Sequence, residues 1–357
     1  MNREKKIQIN CKINRFSLKR QKFSFKKSIQ VVLAASLLLF GLFPATGINA
    51  VAKEKTDNYV LRLGDSSGVC GAPQQIAVEK GFFKKVGLKY KIIKLSADTN
   101  GLEAVSANKI DASNSLLGSL VQPLANGAQL KITTGLHTGC ISILTAKGSK
   151  IVSAKDLIGK KIGVATVAGS EATFAKRYLS DHGVKVGTEN AQVSFVQYDA
   201  AELPIALSKG QVDAIAIEDP DVQIAVKQYG FQELAASATT KPFNTEYCCV
   251  AYVSKSLAAK HPQIAKKYTL AMQEAAKWVA KHQTQTAKIQ VADKYVAGNP
   301  LTNAQALKTY TWKASYKGGQ KAFKQVARSL QKAGVVSKGI SVSALAKRSF
   351  IRFDGVH

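Results

Sequence analysis

Four cysteines in the 357-residue sequence stand where chemistry is plausible: Cys70, Cys140, Cys248 and Cys249. Each falls in a stretch that reads as a loop or a chain crossing, and none in a helix interior. Core cysteines used as small hydrophobes would not segregate in this way. Three readings stand side by side. The thiols pair as a structural disulfide, for example Cys70 with Cys140, in an oxidising compartment. They form a soft-metal or thiol-reactive site with His137. Or they are small residues lining a ligand. The spacing is not that of a paired CxxC zinc site, so no metal ligand and no cofactor are assigned. His137 lies next to a Gly-bounded turn, three positions before Cys140, and is read as a cleft residue.

Serines and acids supply the rest of the candidate set. Ser115 and Ser170 stand at expected helix starts, where unpaired backbone N–H groups and a hydroxyl suit an oxyanion. Plain N-capping would require the same residue type. Ser66 follows the first strand in a Gly- and Ser-rich loop. Glu171 lies in the loop beside Ser170, on the same rim. Glu218 and Asp219 place negative charge near it, expected to oppose a simple inorganic anion and to favour a ligand with an amine or cationic ring. Asp219-Pro220 also reads as a turn. The candidate ligand-binding set is therefore Ser66, Cys70, Ser115, His137, Cys140, Ser170, Glu171, Glu218, Asp219, Cys248 and Cys249. No nucleophile–base arrangement is present, and no catalytic residue is assigned.

The elements that must position these groups alternate strand and helix. Residues 161–166 and 212–217 read as apolar strands ending in polar tips. A helix, a strand and a second helix lie between them, which predicts a small parallel sheet with covering helices. Ligands of such sheets bind beyond the carboxyl ends of the strands. Upstream, strands are expected at 59–63, 88–95, 110–112, 130–134 and 141–146. Ser113-Asn114-Ser115 is expected to cap a helix running to residue 124. Residues 241–253 read as an extended return crossing. The sequence then turns helical. Ile264, Tyr268, Met272, Ala275 and Val279 recur at helical spacing, and further helices follow to residue 350. One αβ half, an inserted second half over residues 151–240, and a return with closing helices give two lobes joined by two crossings. Lobe one then comprises residues 58–150 and 241–357.

The formal net charge is +28, and the N-terminus inflates it. Residues 1–52 hold ten Lys/Arg and one acid, Glu4, so the remainder has 41 basic and 22 acidic residues, a net of +19. The lysines are spread along the chain with no Arg-rich helix, which argues against nucleic acid as partner. Residues 29–43 form an uncharged, largely apolar run, too short for a membrane span and suited to a signal-peptide core. Ala50-Val51-Ala52 is a small-x-small pattern, so residues 1–52 read as a secretory signal cut after Ala52, with an uncleaved anchor as the alternative. No cysteine follows the run closely, so no acylated N-terminus is expected.

Four motifs in order carry a family resemblance. They are Ala77-x-x-Lys80-Gly81-Phe82-Phe83-x-x-x-Gly87-Leu88, Asp156-Leu157-x-Gly159-Lys160-Lys161-Ile162-Gly163-Val164, Gly169-Ser170, and Ala206-Leu207-x-x-Gly210-x-Val212-Asp213-Ala214 followed by Asp219-Pro220. The chain resembles the substrate-binding proteins of ABC importers for nitrate, sulfonates and taurine, a group that includes the yeast-type thiamine-pyrimidine synthases. The resemblance implies an α/β, type II periplasmic-binding-protein fold: two lobes, a two-strand hinge and closure on a small ligand. It implies an exported, non-enzymatic monomer that passes a sulfonate-, taurine- or pyrimidine-like ligand to an ABC permease. Cys248-Cys249 is reminiscent of the longer cysteine cluster of those synthases, but the synthase activity is not carried over. The alternative is a secreted metal- or thiol-dependent enzyme or sensor using the cleft Cys and His residues.

Overall fold

A computed structural model describes residues 58–95, 100–187 and 190–357. The expected export signal, residues 1–52 with Cys11, lies outside the described residues. Ten strands are found among the described residues: β1 (Leu61–Gly64), β2 (Tyr90–Ile93), β3 (Ala112–Leu116), β4 (Leu130–Thr138), β5 (Ile141–Thr145), β6 (Lys161–Val164), β7 (Ser194–Gln197), β8 (Ala214–Glu218), β9 (Gln232–Ala236) and β10 (Tyr247–Ser254). They form two five-stranded sheets, ordered β2-β1-β3-β10-β4 and β7-β6-β8-β5-β9. Each sheet with its helices is one lobe of an α/β, type II periplasmic-binding fold.

The three strands expected to be parallel are so: β6 pairs in parallel with β7 and with β8. β5 and β9 complete that sheet in antiparallel sense. β9 was not anticipated from the sequence. Its residues carry only a weak apolar alternation, and it forms because β5 offers an open edge. The chain crosses between sheets twice, from β4 to β5 through Gly139-Cys140, and from β9 back to β10.

Two boundaries differ from expectation in ways that matter for the site. Ser113-Asn114-Ser115 does not cap a helix. All three continue β3, where Ser113, Asn114 and Ser115 pair with Tyr252, Ala251 and Val250 of β10. Cross-strand pairing overrides the local capping preference of short polar residues. The next helix begins two residues later, Gly118–Ala125. β4 also runs on to Thr138, so His137 and Thr138 are strand residues paired with β10 rather than loop residues.

The helices behave as the apolar spacing dictates. Pro262–Val279 buries Ile264, Tyr268, Met272, Ala275 and Val279. It packs on lobe one, where Phe83 is fully buried and stacks 6.0 Å from Tyr268. Asp221–Tyr229 stops at Gly230, whose φ of 67° is the left-handed conformation that glycine adopts without a Cβ clash. No helix among the described residues is long and apolar enough to cross a membrane.

Candidate functional site

The carboxyl ends of β1 and β3 in one lobe face those of β6 and β8 in the other. Between them lies a cleft of about 470 Å3, within the range of small-molecule sites. Lobe one contributes Ser66, Cys70, Asn114, Ser115 and Ser119, and lobe two contributes Thr166, Ser170, Glu171 and Glu218. Among the described residues, no Lys or Arg lines it.

Ser170 is the first residue of the helix Ser170–Asp181. Its hydroxyl accepts from the backbone N–H of Ser119 at 2.8 Å, a hydrogen bond that joins the two lobes. The approach is close because residue 118 is glycine. A Cβ there would stand 3.2 Å from the Ser170 Cα. Ser66 donates weakly to Gly71 O at 3.5 Å. The buried Asn114 Oδ1 has no hydrogen-bond partner in the protein, which leaves an acceptor for a ligand N–H.

The acids differ electrostatically from the sequence expectation of negative charge. Glu218, the last residue of β8, takes a hydrogen bond from the Cys70 thiol at 3.7 Å. Burial, then the charge of Cys70 and of Glu171, holds its carboxyl well above the usual carboxylate range. Burial likewise pushes Glu171 up. Asp219 is pushed up to about 7, with burial outweighing the hydrogen bond it receives from Tyr310. Taking a carboxylate out of water favours its neutral form. Glu218 therefore enters the cleft with its ionised form disfavoured by burial. Asp219 does not line the cleft. Its backbone N–H donates to Cys140 O at 3.0 Å and its side chain meets Tyr310, so it braces the first crossing.

The four cysteines, 179 positions apart at their extremes, come together behind the cleft wall, of which Cys70 is part. Cys70 sits in the short turn Val69–Gly71, Cys140 in the first crossing, and Cys248 and Cys249 at the start of β10. All four are free thiols, so the pairing Cys70–Cys140 is not formed. The Sγ atoms of Cys70, Cys140 and Cys249 lie within 4.8 Å of one another, and all three residues are buried. Cys248 Sγ is 2.7 Å from Cys140 Sγ. Adjacent strand residues normally face opposite ways. Here the step from Tyr247 to Cys249 on β10 matches a single step on β4, a bulge at Cys248 that brings both thiols to one side.

Hydrogen bonds from Cys140 and then Cys249 pull the Cys70 thiol well below its ordinary range, against its burial. Burial pushes Cys248 up, but hydrogen bonds from Cys140 and Cys249 and the charge of His137 outweigh it and bring it to about 5. Burial pushes Cys140 and Cys249 up.

His137 stands behind this cluster rather than on the cleft wall. It is fully buried, stacked on Tyr310 at a ring distance of 5.3 Å and tilted against Trp312 at 4.3 Å. Its Nδ1 faces Thr138 O at 3.1 Å and its Nε2 faces Cys70 O at 3.2 Å. Neither nitrogen is turned to the cleft, and the ring supports the Cys70 turn. The sequence places residues 113–119 at the cleft but does not single out Asn114 or Ser119. Ser119 lay in a stretch that reads as cap and helix, and only the extension of β3 turns Asn114 toward the cleft edge.

A profile of the family described as NMT1/THI5 like matches residues 72–286. A protein of Bacillus subtilis (strain 168) named for binding aliphatic sulfonates is 25% identical over 293 residues, covering 79% of this chain and 84% of the relative. A Haemophilus influenzae protein named for thiamine biosynthesis is 26% identical over 279 residues, 76% of this chain and 85% of the relative. Among solved structures, the alkanesulfonate-binding protein SsuA from Xanthomonas axonopodis pv. citri bound to MOPS superposes with a TM-score of 0.67 at 18% identity, over 82% of this chain and 98% of SsuA.

Proposed function

The chain belongs to the NMT1/THI5-like family, and from that premise we propose that it is an extracytoplasmic solute-binding protein. It captures a small sulfonate-, taurine- or pyrimidine-like ligand by lobe closure and hands it to an ABC permease in the membrane. It does no chemistry on the ligand. The observation that carries this reading is the cleft of about 470 Å3 with walls from both lobes, bridged by the Ser119–Ser170 hydrogen bond. A site built this way gains its binding energy only when the lobes are together. The domain division at the two crossings, the export signal and the monomeric state belong to the same proposal.

The lining narrows the ligand class. The start of the helix Ser170–Asp181 offers backbone N–H groups to an anionic end. Asn114 Oδ1 and the carboxyls of Glu171 and Glu218 are acceptors for N–H groups on the other end. With no Lys or Arg among the described residues of the wall, a bare inorganic anion meets no counter-charge there. A ligand combining an anionic or polar end with an amine or amino-heterocycle fits better than nitrate. The relatives named for aliphatic sulfonates and for thiamine biosynthesis support these two chemistries as the ones to try.

The test is thermal-shift screening followed by calorimetry, using taurine, alkanesulfonates, aminopyrimidines, nitrate and aromatic acids. Taurine or an aminopyrimidine is expected to raise Tm and to bind one per chain. A folded protein that responds to none of these classes overturns the reading.

A further inference from the structure

We propose that Cys70, Cys140 and Cys249, with Cys248 as a fourth donor, form a binding site for one thiophilic d10 metal ion of the zinc(II) or copper(I) kind. This site goes beyond solute binding and does not depend on it.

The geometry comes first. Sulfurs sharing such an ion, at a metal–sulfur distance of about 2.3 Å, stand roughly 3.8 Å apart. The Sγ atoms of Cys70, Cys140 and Cys249 fall within 4.8 Å of one another, so side-chain adjustments of an ångström or less complete the first three bonds. Cys248 Sγ, 2.7 Å from Cys140 Sγ, reaches the same centre after moving away from its neighbour. All-sulfur donor sets select zinc, copper(I) or iron–sulfur clusters over hard cations.

The backbone supplies a second, independent observation. Cys140 has a φ of 108°, in the left-handed region that non-glycine residues rarely adopt. Gly139 before it also has positive φ, 89°. Cys248 is the extra residue of a β-bulge, the only arrangement that lets consecutive strand residues share one side. Backbone strain and a bulge thus both act to aim thiols at one point, a combination that concentrates at functional sites.

The surroundings complete the site. His137 holds the Cys70 turn through Nε2 facing Cys70 O. Outer-shell contacts of this kind orient metal ligands. Cys70 is part of the cleft wall, which gives an ion an entry path. The donors come from lobe one's first turn and from both crossings, so a bound ion would tie together three segments at the pivot between the lobes.

The experiment uses full-length protein purified anaerobically under reductant. Zinc(II) and, separately, copper(I) are titrated in competition with a chromophoric chelator, and thiols are counted with and without metal. The expected result is one ion per chain for at least one of the two, with thiols protected from the counting reagent when it is bound. Cobalt(II) is expected to give an intense thiolate-to-metal charge-transfer absorption. Cys140→Ser and Cys249→Ser are each expected to weaken binding more than about 100-fold, beyond the effect of outer-shell changes. Should either fail to fold, Cys70→Ser in the short turn at the cleft wall serves in its place. The proposal is overturned if the folded, four-thiol protein binds neither ion at one per chain. It is equally overturned if binding survives the serine variants, or if only two thiols titrate because Cys140 and Cys248 are joined. A solute-induced Tm rise in metal-free protein would leave the transport reading intact under any of these outcomes.

Discussion

Two groups of buried polar side chains flank the same hinge, and they are solved in opposite ways. On one side, Arg177 and Glu246 form a closed pair, with Nη1 to Oε2 at 2.7 Å and Nη2 to Oε1 at 3.0 Å. Phe243 lies under the guanidinium at 4.9 Å, and only a small cavity of about 50 Å3 adjoins them. On the other side stand four thiols, the Glu218 carboxyl raised by burial and an orphaned amide oxygen, at or just behind the wall of a cleft nearly ten times larger. A buried charge held by its counter-charge is a structural element, even though Arg177 Nε has no hydrogen-bond partner of its own. Buried groups left with spare bonding capacity beside open space are where a ligand or ion completes the set.

The largest effect should come from breaking the closed pair. Glu246→Ala leaves Arg177 buried without its counter-charge, and a loss of about 3–5 kcal/mol is expected in urea denaturation. Replacing both partners with apolar residues should restore much of that loss. A cost below about 1 kcal/mol for the single change would remove the distinction drawn between the two sides.

The second test concerns Asp219. Its folded-state proton is held to about pH 7, whereas in the unfolded chain it leaves near pH 4. Between those values the folded state binds more protons, so stability is present at low pH and is lost as pH rises through the window, by up to about 4 kcal/mol. Asp219→Asn should flatten that part of the stability–pH curve. Glu218 and Glu171, also held above their ordinary range, act in the same direction and should leave a residual slope.

Next is the lobe bridge. Ser170→Ala leaves the Ser119 N–H without its acceptor when the lobes close, a cost of about 1–3 kcal/mol. Solute affinity measured by calorimetry should fall roughly tenfold, with stability of the solute-free protein changing less. Unchanged affinity would mean that this contact is not part of the closed, ligand-holding state. The smallest expected effect is that of Tyr310→Phe. It removes the hydrogen bond that lowers Asp219, so the midpoint of the pH dependence should move upward, with a stability change near 1 kcal/mol. A downward movement would contradict the assignment of that bond.

Much of the second lobe was legible because its signals are local. Apolar runs of strand length end in polar tips, and Gly230 ends the helix Asp221–Tyr229 where the apolar spacing stops. The family resemblance rested on the same local motifs, and the matching residues 72–286 span them. The site was legible as a set of loops and less so as a geometry. Ser115 reads as a helix cap and is a strand residue. His137 reads as a cleft residue and is packed between aromatic rings with its nitrogens on carbonyls.

The sequence by itself determined the alternation of strands and helices, the two crossings and the confinement of the cysteines to loop-like and crossing segments. Those properties follow from side-chain periodicity and from glycine and proline, which act within a few residues. Only the tertiary structure decided that four thiols spread from Cys70 to Cys249 converge, that β3 and β4 extend past their local stop signals, and that burial raises the Glu218 carboxyl above its ordinary range. Convergence depends on which strands pair, and charge state depends on how much water is excluded. Both are set by residues far apart in the chain.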